Sequence, residues 1–142
     1  MNFGADIPFV HHLGFQLEHF DGGESKIAFD PKPEHLNSFG VVHGGACMTL
    51  LDVAMAVAAR SVAKESGIVT IEMKTSFMRP AQGTLVAHGL LKHRTATMAF
   101  VEATIFDAQQ RACAHATGTF KYVKRLPTGL RSLNDFNVIS TD

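Results

Sequence analysis

The sequence predicts an α+β domain in which an antiparallel β-sheet wraps around one long buried helix. One long segment has a helical composition and is apolar on nearly every side. Two short strand-like segments precede it, and four strand-like segments follow it in a row. A helix that is apolar on all sides is buried, and a curved antiparallel sheet supplies the layer that covers it.

The helix candidate covers residues 46 to about 64 and contains neither proline nor glycine. Alanine, leucine and methionine, which favour helices, dominate its first fourteen residues. In this apolar stretch the only polar side chains are Thr49 and Asp52, which lie one helical turn apart and so on one face. Gly67 follows as the expected helix breaker.

The segment before the helix predicts a hairpin. Residues 7–15 are short and apolar, which indicates a turn or two of helix leading into a strand. Residues 15–20 alternate apolar and polar side chains, the signature of a half-buried strand. Asp21-Gly22-Gly23 then predicts a turn, and residues 26–29 resume an extended pattern.

Four strands are predicted after the helix, at residues 68–78, 85–92, 98–106 and 112–123, because these segments are rich in Val, Ile, Thr and Phe. Their short connections predict an antiparallel meander. Such an open sheet leaves exposed edges, and pairing with a second copy would remove one of them, so we expect a homodimer.

Length and composition predict one domain. The chain has 142 residues, 46% of them hydrophobic, which suits a single core better than two. We predict that this domain covers residues 1–125 and that residues 126–142, which are polar without a clear period, form a tail.

Charge and targeting signals narrow the class of protein. Thirteen basic residues balance thirteen acidic ones, so the electrostatic footprint of a nucleic-acid binder is lacking. The N-terminus does not resemble a signal peptide, and the longest apolar run, residues 53–59, is far shorter than a membrane span. Cys47 and Cys113 are isolated thiols, which suits a reducing compartment. We expect a soluble cytoplasmic protein without a nucleic-acid or membrane partner.

Asp52 is the anomaly in the apolar helix. An ionised carboxylate in apolar surroundings is costly, and an unpaired aspartate is almost never fully buried. One interpretation is a partly exposed or hydrogen-bonded structural carboxylate, and for Asp52 taken alone this is the better one. The other is a carboxylate with a raised pKa that acts as general base or nucleophile.

The turn before the helix favours the second interpretation. His43-Gly44-Gly45 lies at the predicted helix N-terminus, where the first backbone N–H groups lack partners and the helix dipole is positive. Two glycines let a ligand approach this backbone closely, so the turn could form an oxyanion hole. The alternative is a plain helix-capping turn in which His43 has only a structural role.

These residues carry a family resemblance. Residues 37–45, NSFGVVHGG, followed by Leu51 and Asp52, resemble the hotdog-fold acyl-CoA thioesterases, most of all the phenylacetate-degradation group. The likeness continues through residues 69–73 and 77–83 and over the last three strands to about Tyr122. Several elements in a fixed order are more specific than any one of them, and the fold implied is the one predicted above.

The resemblance implies a role for each site residue. Asp52 would attack the thioester carbonyl or activate water to do so, and the backbone N–H of Gly44 would polarise that carbonyl. Asn37 would lie near the attacking water or carbonyl, His43 would shape or polarise the site, and Thr70 would position water.

The resemblance also implies an assembly and a substrate. Asn37, His43 and Gly44 of one subunit would face Asp52 and Thr70 of the other, in a homodimer that further assembles into a homotetramer. The substrate would be an acyl-CoA with an aromatic or medium-chain acyl group. We expect no cofactor, because the CoA thioester is itself the substrate.

The sequence indicates the binding site of the CoA arm less clearly. The phosphates of CoA need cations, and its pantetheine is expected to lie along strand backbone. The candidates are Gly45 at the helix start and, at strand ends and turns, Met78, Arg79, Pro80, Arg94 and Thr95. For those at strand ends and turns, a solvated charge without a role in binding is at least as good an explanation.

A metal site is not expected, because the eight histidines fit no zinc-ligand spacing and no cysteine pair supports them. Cys47 is better explained by packing than as a nucleophile. Two other functions remain open: an enoyl-CoA hydratase or dehydratase on the same scaffold, and a non-catalytic acyl-CoA binder.

Overall fold

A computed structural model describes residues 3–124, which form a six-stranded antiparallel sheet packed on one long helix. The predicted domain boundary at residue 125 and the predicted tail, residues 126–142, lie outside the described residues. The helices are α1 (Pro8–Leu13) and α2 (Gly44–Arg60), with a 3-10 turn at Pro33–His35, and the strands are β1 (Gln16–Asp21), β2 (Glu24–Phe29), β3 (Gly67–Phe77), β4 (Leu85–Arg94), β5 (Met98–Phe106) and β6 (Ala112–Val123).

The strand order is β1-β2-β4-β5-β6-β3. The hairpin of β1 and β2 and the meander of β4, β5 and β6 confirm the sequence prediction. The prediction that β3 joins this meander beside β4 is wrong, because β2 already occupies that edge of β4, with Ile27 opposite Ala87. β3 pairs instead with β6, with Thr70 opposite Phe120, and becomes an edge of the sheet.

Helix α2 begins earlier than predicted, at Gly44 rather than Ala46. His43 is its N-cap residue, and Nδ1 of His43 accepts a hydrogen bond of 2.8 Å from the backbone N–H of Gly45. The histidine ring thus caps the helix in place of the usual serine or aspartate. As a consequence, both glycines belong to the first helical turn.

Helix α2 also ends earlier than predicted, at Arg60. The guanidinium of Arg60 donates to the backbone carbonyls of Lys64 and Ser66 at 3.2 and 3.1 Å. These bonds hold the chain in a turn after the helix, so Gly67 opens β3 and does not act as the helix breaker.

One face of α2 forms the centre of the core. Leu50, Leu51, Ala54 and Met55 have no exposed surface, and the helix packs against every strand of the sheet. The opposite stripe is covered only in part, since Met48 is 41% exposed and Asp52, Val53 and Ala56 are half-buried. Within one chain, the sheet therefore leaves open the side of the helix that carries Asp52.

Gly89 of β4 lets the sheet approach α2 closely. A Cβ atom at Gly89 would overlap with the backbone oxygen of Ala54 and with Oγ of Ser25. Oγ of the buried Ser25 donates a hydrogen bond of 2.6 Å to that same oxygen. The helix, β2 and β4 thus meet at a point where only glycine fits.

In the part of the chain that the structure describes, no helix is long and apolar enough to cross a membrane.

Gly89→Ala should destabilise the fold by about 3 kcal/mol, because the added methyl group overpacks this contact and displaces the Ser25 hydrogen bond. Ser25→Ala is the matched control, since it removes only the hydrogen bond and should cost about 1 kcal/mol. Urea unfolding of the three proteins measures both values. Equal costs for the two variants would show that the glycine is not required there.

Candidate active site

Asp52 of α2 and Thr70 of β3 form a hydrogen-bonded pair. Oγ1 of Thr70 donates to Oδ1 of Asp52 at 2.6 Å, a length typical of a hydroxyl bonded to a carboxylate. Strand β3 runs beside the open stripe of α2, so the hydroxyl reaches the one acidic side chain of the helix. The structure thus brings together, within one chain, two residues that the resemblance groups together.

The surroundings of Asp52 change its proton affinity. Burial in apolar surroundings raises the pKa of Asp52 above its usual range, and the hydrogen bond from Thr70 offsets part of this rise. The result is a carboxylate that binds a proton more readily than an ordinary aspartate. This property suits a general base, which must accept a proton near neutral pH.

The N-terminus of α2 presents a backbone donor. His43 occupies the N–H of Gly45, whereas the N–H of Gly44 has no hydrogen-bond partner within residues 3–124. Because Nδ1 of His43 is an acceptor here, a neutral His43 ring carries its proton on Nε2 and can donate from that atom. Gly45 has a structural reason to be glycine, since a Cβ there would lie 3.0 Å from Nδ1 of His43.

Asn37 shapes the loop that precedes the helix. Its Oδ1 accepts from the backbone N–H groups of Phe39 and Val41 at 2.9 and 3.3 Å, and Gly40 within this loop has a positive φ of 76°. These bonds occupy the oxygen of the side-chain amide. The two N–H donors of the amide remain available to a ligand.

Asn37 and Gly44 line one cavity, of about 370 Å³, which we call the Gly44 pocket. Met78, Arg79 and Pro80, three of the predicted CoA-binding residues, line it as well. Nη1 of Arg79 donates to the backbone oxygen of Ala112 at 2.7 Å, which anchors the guanidinium beside the pocket.

Asp52 and Thr70 line a different cavity, of about 310 Å³, which we call the Asp52 pocket. It shares no lining residue with the Gly44 pocket. Eight residues separate Gly44 from Asp52, and an α-helix rises about 1.5 Å per residue, so the two lie about 12 Å apart along α2. A single carbonyl group therefore does not reach both within one chain.

The remaining predicted residues lie elsewhere. The guanidinium of Arg94 stacks 4.5 Å from the ring centre of Tyr122, and Oγ1 of Thr95 accepts from the N–H of Met98 in the β4–β5 turn. Neither residue lines the Gly44 pocket or the Asp52 pocket, and the same is true of His43 and Gly45. A role for them in CoA binding or catalysis stays a prediction.

Cys47 is buried beneath the Gly44 pocket with Cys113. Burial, assisted by Cys113, raises the pKa of the Cys47 thiol to about 11. A neutral thiol is a poor nucleophile, which supports the interpretation of Cys47 as a packing residue. In the described part of the chain no three metal-ligating side chains come together, and the expected independence of a metal stays a prediction.

The N-terminal segment lines the Asp52 pocket, which the sequence did not predict. Phe3, Ile7 and Val10 line the Asp52 pocket, although all three precede the first strand by several residues. Their apolar character was the only available signal, because nothing local indicates that they fold back over α2.

The sequence matches a known superfamily. A family model described as the thioesterase superfamily matches residues 39–114, more than half of the chain. The protein belongs to this superfamily.

Individual relatives agree with this assignment. An inferred esterase of Halobacterium salinarum is 30% identical over 129 residues, which cover 82% of this chain and 85% of that protein. The medium/long-chain acyl-CoA thioesterase YigI of Salmonella typhimurium is 23% identical over 131 residues, which cover 80% of this chain and 84% of YigI. Family membership and these names support a hydrolase.

Solved structures confirm the hotdog architecture. A conserved protein of Pseudomonas aeruginosa superposes with a TM-score of 0.80 at 24% identity, over 84% of this chain and 96% of that one. The E. coli PaaI protein from the phenylacetic acid degradation operon gives 0.77 at 24% identity, over 82% and 85%. At this level of identity the likeness establishes the fold alone.

Asp52→Asn should raise the melting temperature at neutral pH. Because the pKa of Asp52 is raised in the folded protein, its stabilising protonated form is fully populated in acid and is lost as pH rises through that pKa. Asparagine is neutral throughout and can still accept from Thr70. Melting curves from acidic to mildly alkaline pH should show a gain that grows with pH, and a gain independent of pH would contradict this electrostatic account.

Proposed function

We propose that the protein hydrolyses acyl-CoA thioesters to free acid and CoA, with Asp52 as the catalytic carboxylate. The observation that carries this proposal is the Asp52–Thr70 pair: a half-buried carboxylate of raised pKa, held by a hydroxyl, beside an apolar cavity. Such a pair can activate water next to an apolar acyl group.

We further propose that the complete site forms between two copies of the chain. Strand β3 is a sheet edge of eleven residues, and its exposed side chains include Ile71 at 53% and Phe77 at 55%. A long apolar edge strand of this kind pairs readily with another strand. Pairing with a second copy would cover it in a symmetric dimer.

Antiparallel pairing of β3 with the partner's β3 would join the two pockets. Thr70, near one end of the strand, binds Asp52, while Phe77, at the other end, lies beside Gly44, where a Cβ would meet its ring at 3.5 Å. A two-fold axis near the middle of β3 would bring the Thr70 end of one copy to the Phe77 end of the other. Asp52 would then face the partner's Gly44. One carbonyl group could reach both, although Asp52 and Gly44 of the same chain are about 12 Å apart.

The chemistry follows from this arrangement. Asp52 removes a proton from water, which attacks the thioester carbon, or Asp52 attacks that carbon itself. The N–H of Gly44, at the positive end of α2, stabilises the negative charge that develops on the carbonyl oxygen. Asn37 and Nε2 of His43 supply further donors. The carbon–sulfur bond then breaks, and CoA leaves as the thiolate. On the route through direct attack, water then hydrolyses the acyl–Asp52 anhydride, which releases the acid and restores the carboxylate.

The names of relatives support the substrate class. YigI is named a medium/long-chain acyl-CoA thioesterase, and PaaI comes from a phenylacetic acid degradation operon. Medium-chain and aromatic acyl groups are therefore the first substrates to try. The homotetramer and the cytoplasmic location expected from the sequence stay predictions, as does the absence of a cofactor.

Asp52→Asn should lower kcat for acyl-CoA hydrolysis by about 10²–10⁴-fold, because the amide cannot accept the proton. Thiol release from acetyl-, hexanoyl-, decanoyl- and phenylacetyl-CoA, followed with a thiol reagent, measures this. Asp21→Asn is the matched control: it makes the same chemical change at an exposed carboxylate of β1 that lines neither pocket, so kcat should stay near wild type.

A near-wild-type kcat for Asp52→Asn on the best substrate would refute the mechanism. Loss of the conjugated double bond of an enoyl-CoA without thiol release would favour a hydratase. Binding of acyl-CoA without either reaction would favour a non-catalytic binder.

A further inference from the structure

The Asp52 pocket is elongated along α2. Its helical lining begins at Asp52 and ends at Arg60, with Val53, Ala56 and Val57 between them. These eight residue steps correspond to about 12 Å along the helix axis. The cavity of about 310 Å³ is roughly twice the 150 Å³ that accommodates a benzene molecule.

The walls of this pocket are apolar except at its ends. The start of β3 contributes Ile68, and the N-terminal segment contributes Phe3, Ile7 and Val10. The polar groups at one end are Asp52 and Thr70, where the reaction is proposed to occur. An apolar channel that starts at a catalytic carboxylate suits an alkyl or aryl chain whose reactive carbonyl stays at the mouth.

Arg60 fixes the N-terminal segment as the lid of the pocket. Its Nη1 donates to the backbone oxygen of Phe3 at 2.9 Å, and its Nε donates to Ser66 at 3.1 Å. The side chain is 7% exposed. Its guanidinium is therefore engaged with backbone carbonyls, and it closes the far end of the pocket by tying the lid to the end of α2.

Ala56 lies near the middle of the Asp52 pocket. It lies one helical turn beyond Asp52 and so on the same side of α2, it is half-buried, and it lines the Asp52 pocket. Its single methyl group leaves open the space that a longer side chain would fill.

We infer that the Asp52 pocket holds the acyl chain of the substrate, and that Ala56 and the lid residue Phe3 set the length of chain that is accepted. This inference rests on the proposed thioesterase function and names the part of the chain that selects its substrate. Chains that extend past Ala56 toward Arg60 bind best in the native protein.

Ala56→Leu should shift the preference toward short acyl chains, because the leucine side chain fills the channel beyond Asp52. The ratio of kcat/KM for decanoyl-CoA to that for butyryl-CoA should fall by roughly ten-fold or more. Phe3→Ala should move the ratio in the opposite direction, since it opens the lid. Ala63→Leu is the matched control: Ala63 is half-buried against the core but lines neither pocket, and its ratio should not change.

A second readout does not require turnover. Alkyl-CoA thioethers are not hydrolysed, and their dissociation constants, measured by calorimetry, should show the same dependence on chain length for each variant. Folding of each variant is checked by its melting curve.

The outcomes separate the two proposals. If folded Ala56→Leu and Phe3→Ala keep the wild-type dependence on acyl-chain length, in turnover or in thioether binding, the pocket assignment is overturned. The thioesterase function would then still stand. A wild-type protein that neither hydrolyses acyl-CoA nor binds the thioethers would overturn both.

Discussion

The geometry of α2 is the constraint on which the site depends. An α-helix rises about 1.5 Å per residue, so a donor at its first residue and a carboxylate eight residues later are about 12 Å apart. Each chain therefore carries two separate pockets, the Gly44 pocket and the Asp52 pocket, which the proposed function treats as two half-sites. Strand β3 runs from one to the other, because its Thr70 binds Asp52 and the ring of its Phe77 lies beside Gly44. Its position at the edge of the sheet makes pairing of the half-sites between copies possible.

A second feature is the uneven covering of α2. The sheet packs so closely on one face of the helix that Gly89 is required there. The opposite stripe stays open and carries Asp52 beside half-buried apolar residues. The carboxylate is thereby desolvated enough to raise its pKa while it remains accessible. A charge in such a place lowers stability, as is common for functional groups.

Much of the fold could be predicted because its signals are local. Composition identified the long helix, and the alternating pattern and the glycine turn identified the hairpin of β1 and β2. The bounds of β5 and β6 were also correct. The pairing of β3 with β6 was not predictable in this way, because no local pattern specifies which of two strand edges is free. The ends of α2 depend on side chains that fold back, His43 and Arg60.

The site was predictable only in part. Asp52 stood out as a charge in an apolar helix, and the turn before it offered a donor, but their grouping with Asn37 and Thr70 came from the family resemblance. The hydrogen bond between Thr70 and Asp52 depends on β3 lying beside α2, a tertiary contact. The lid formed by Phe3 depends on Arg60, 57 residues away, and no sequence pattern links such distant residues.

Mixed dimers test most directly whether the site is shared between two copies. Asn37→Asp keeps the oxygen that orders its loop but removes the amide donors, and Asp52→Asn removes the carboxylate, so either variant alone should be nearly inactive. When the two are co-produced, each mixed dimer should contain one intact site, and total thiol release should recover to about one quarter of wild type. A mixture that forms dimers and yet stays as inactive as the separate variants would contradict a site built from both chains.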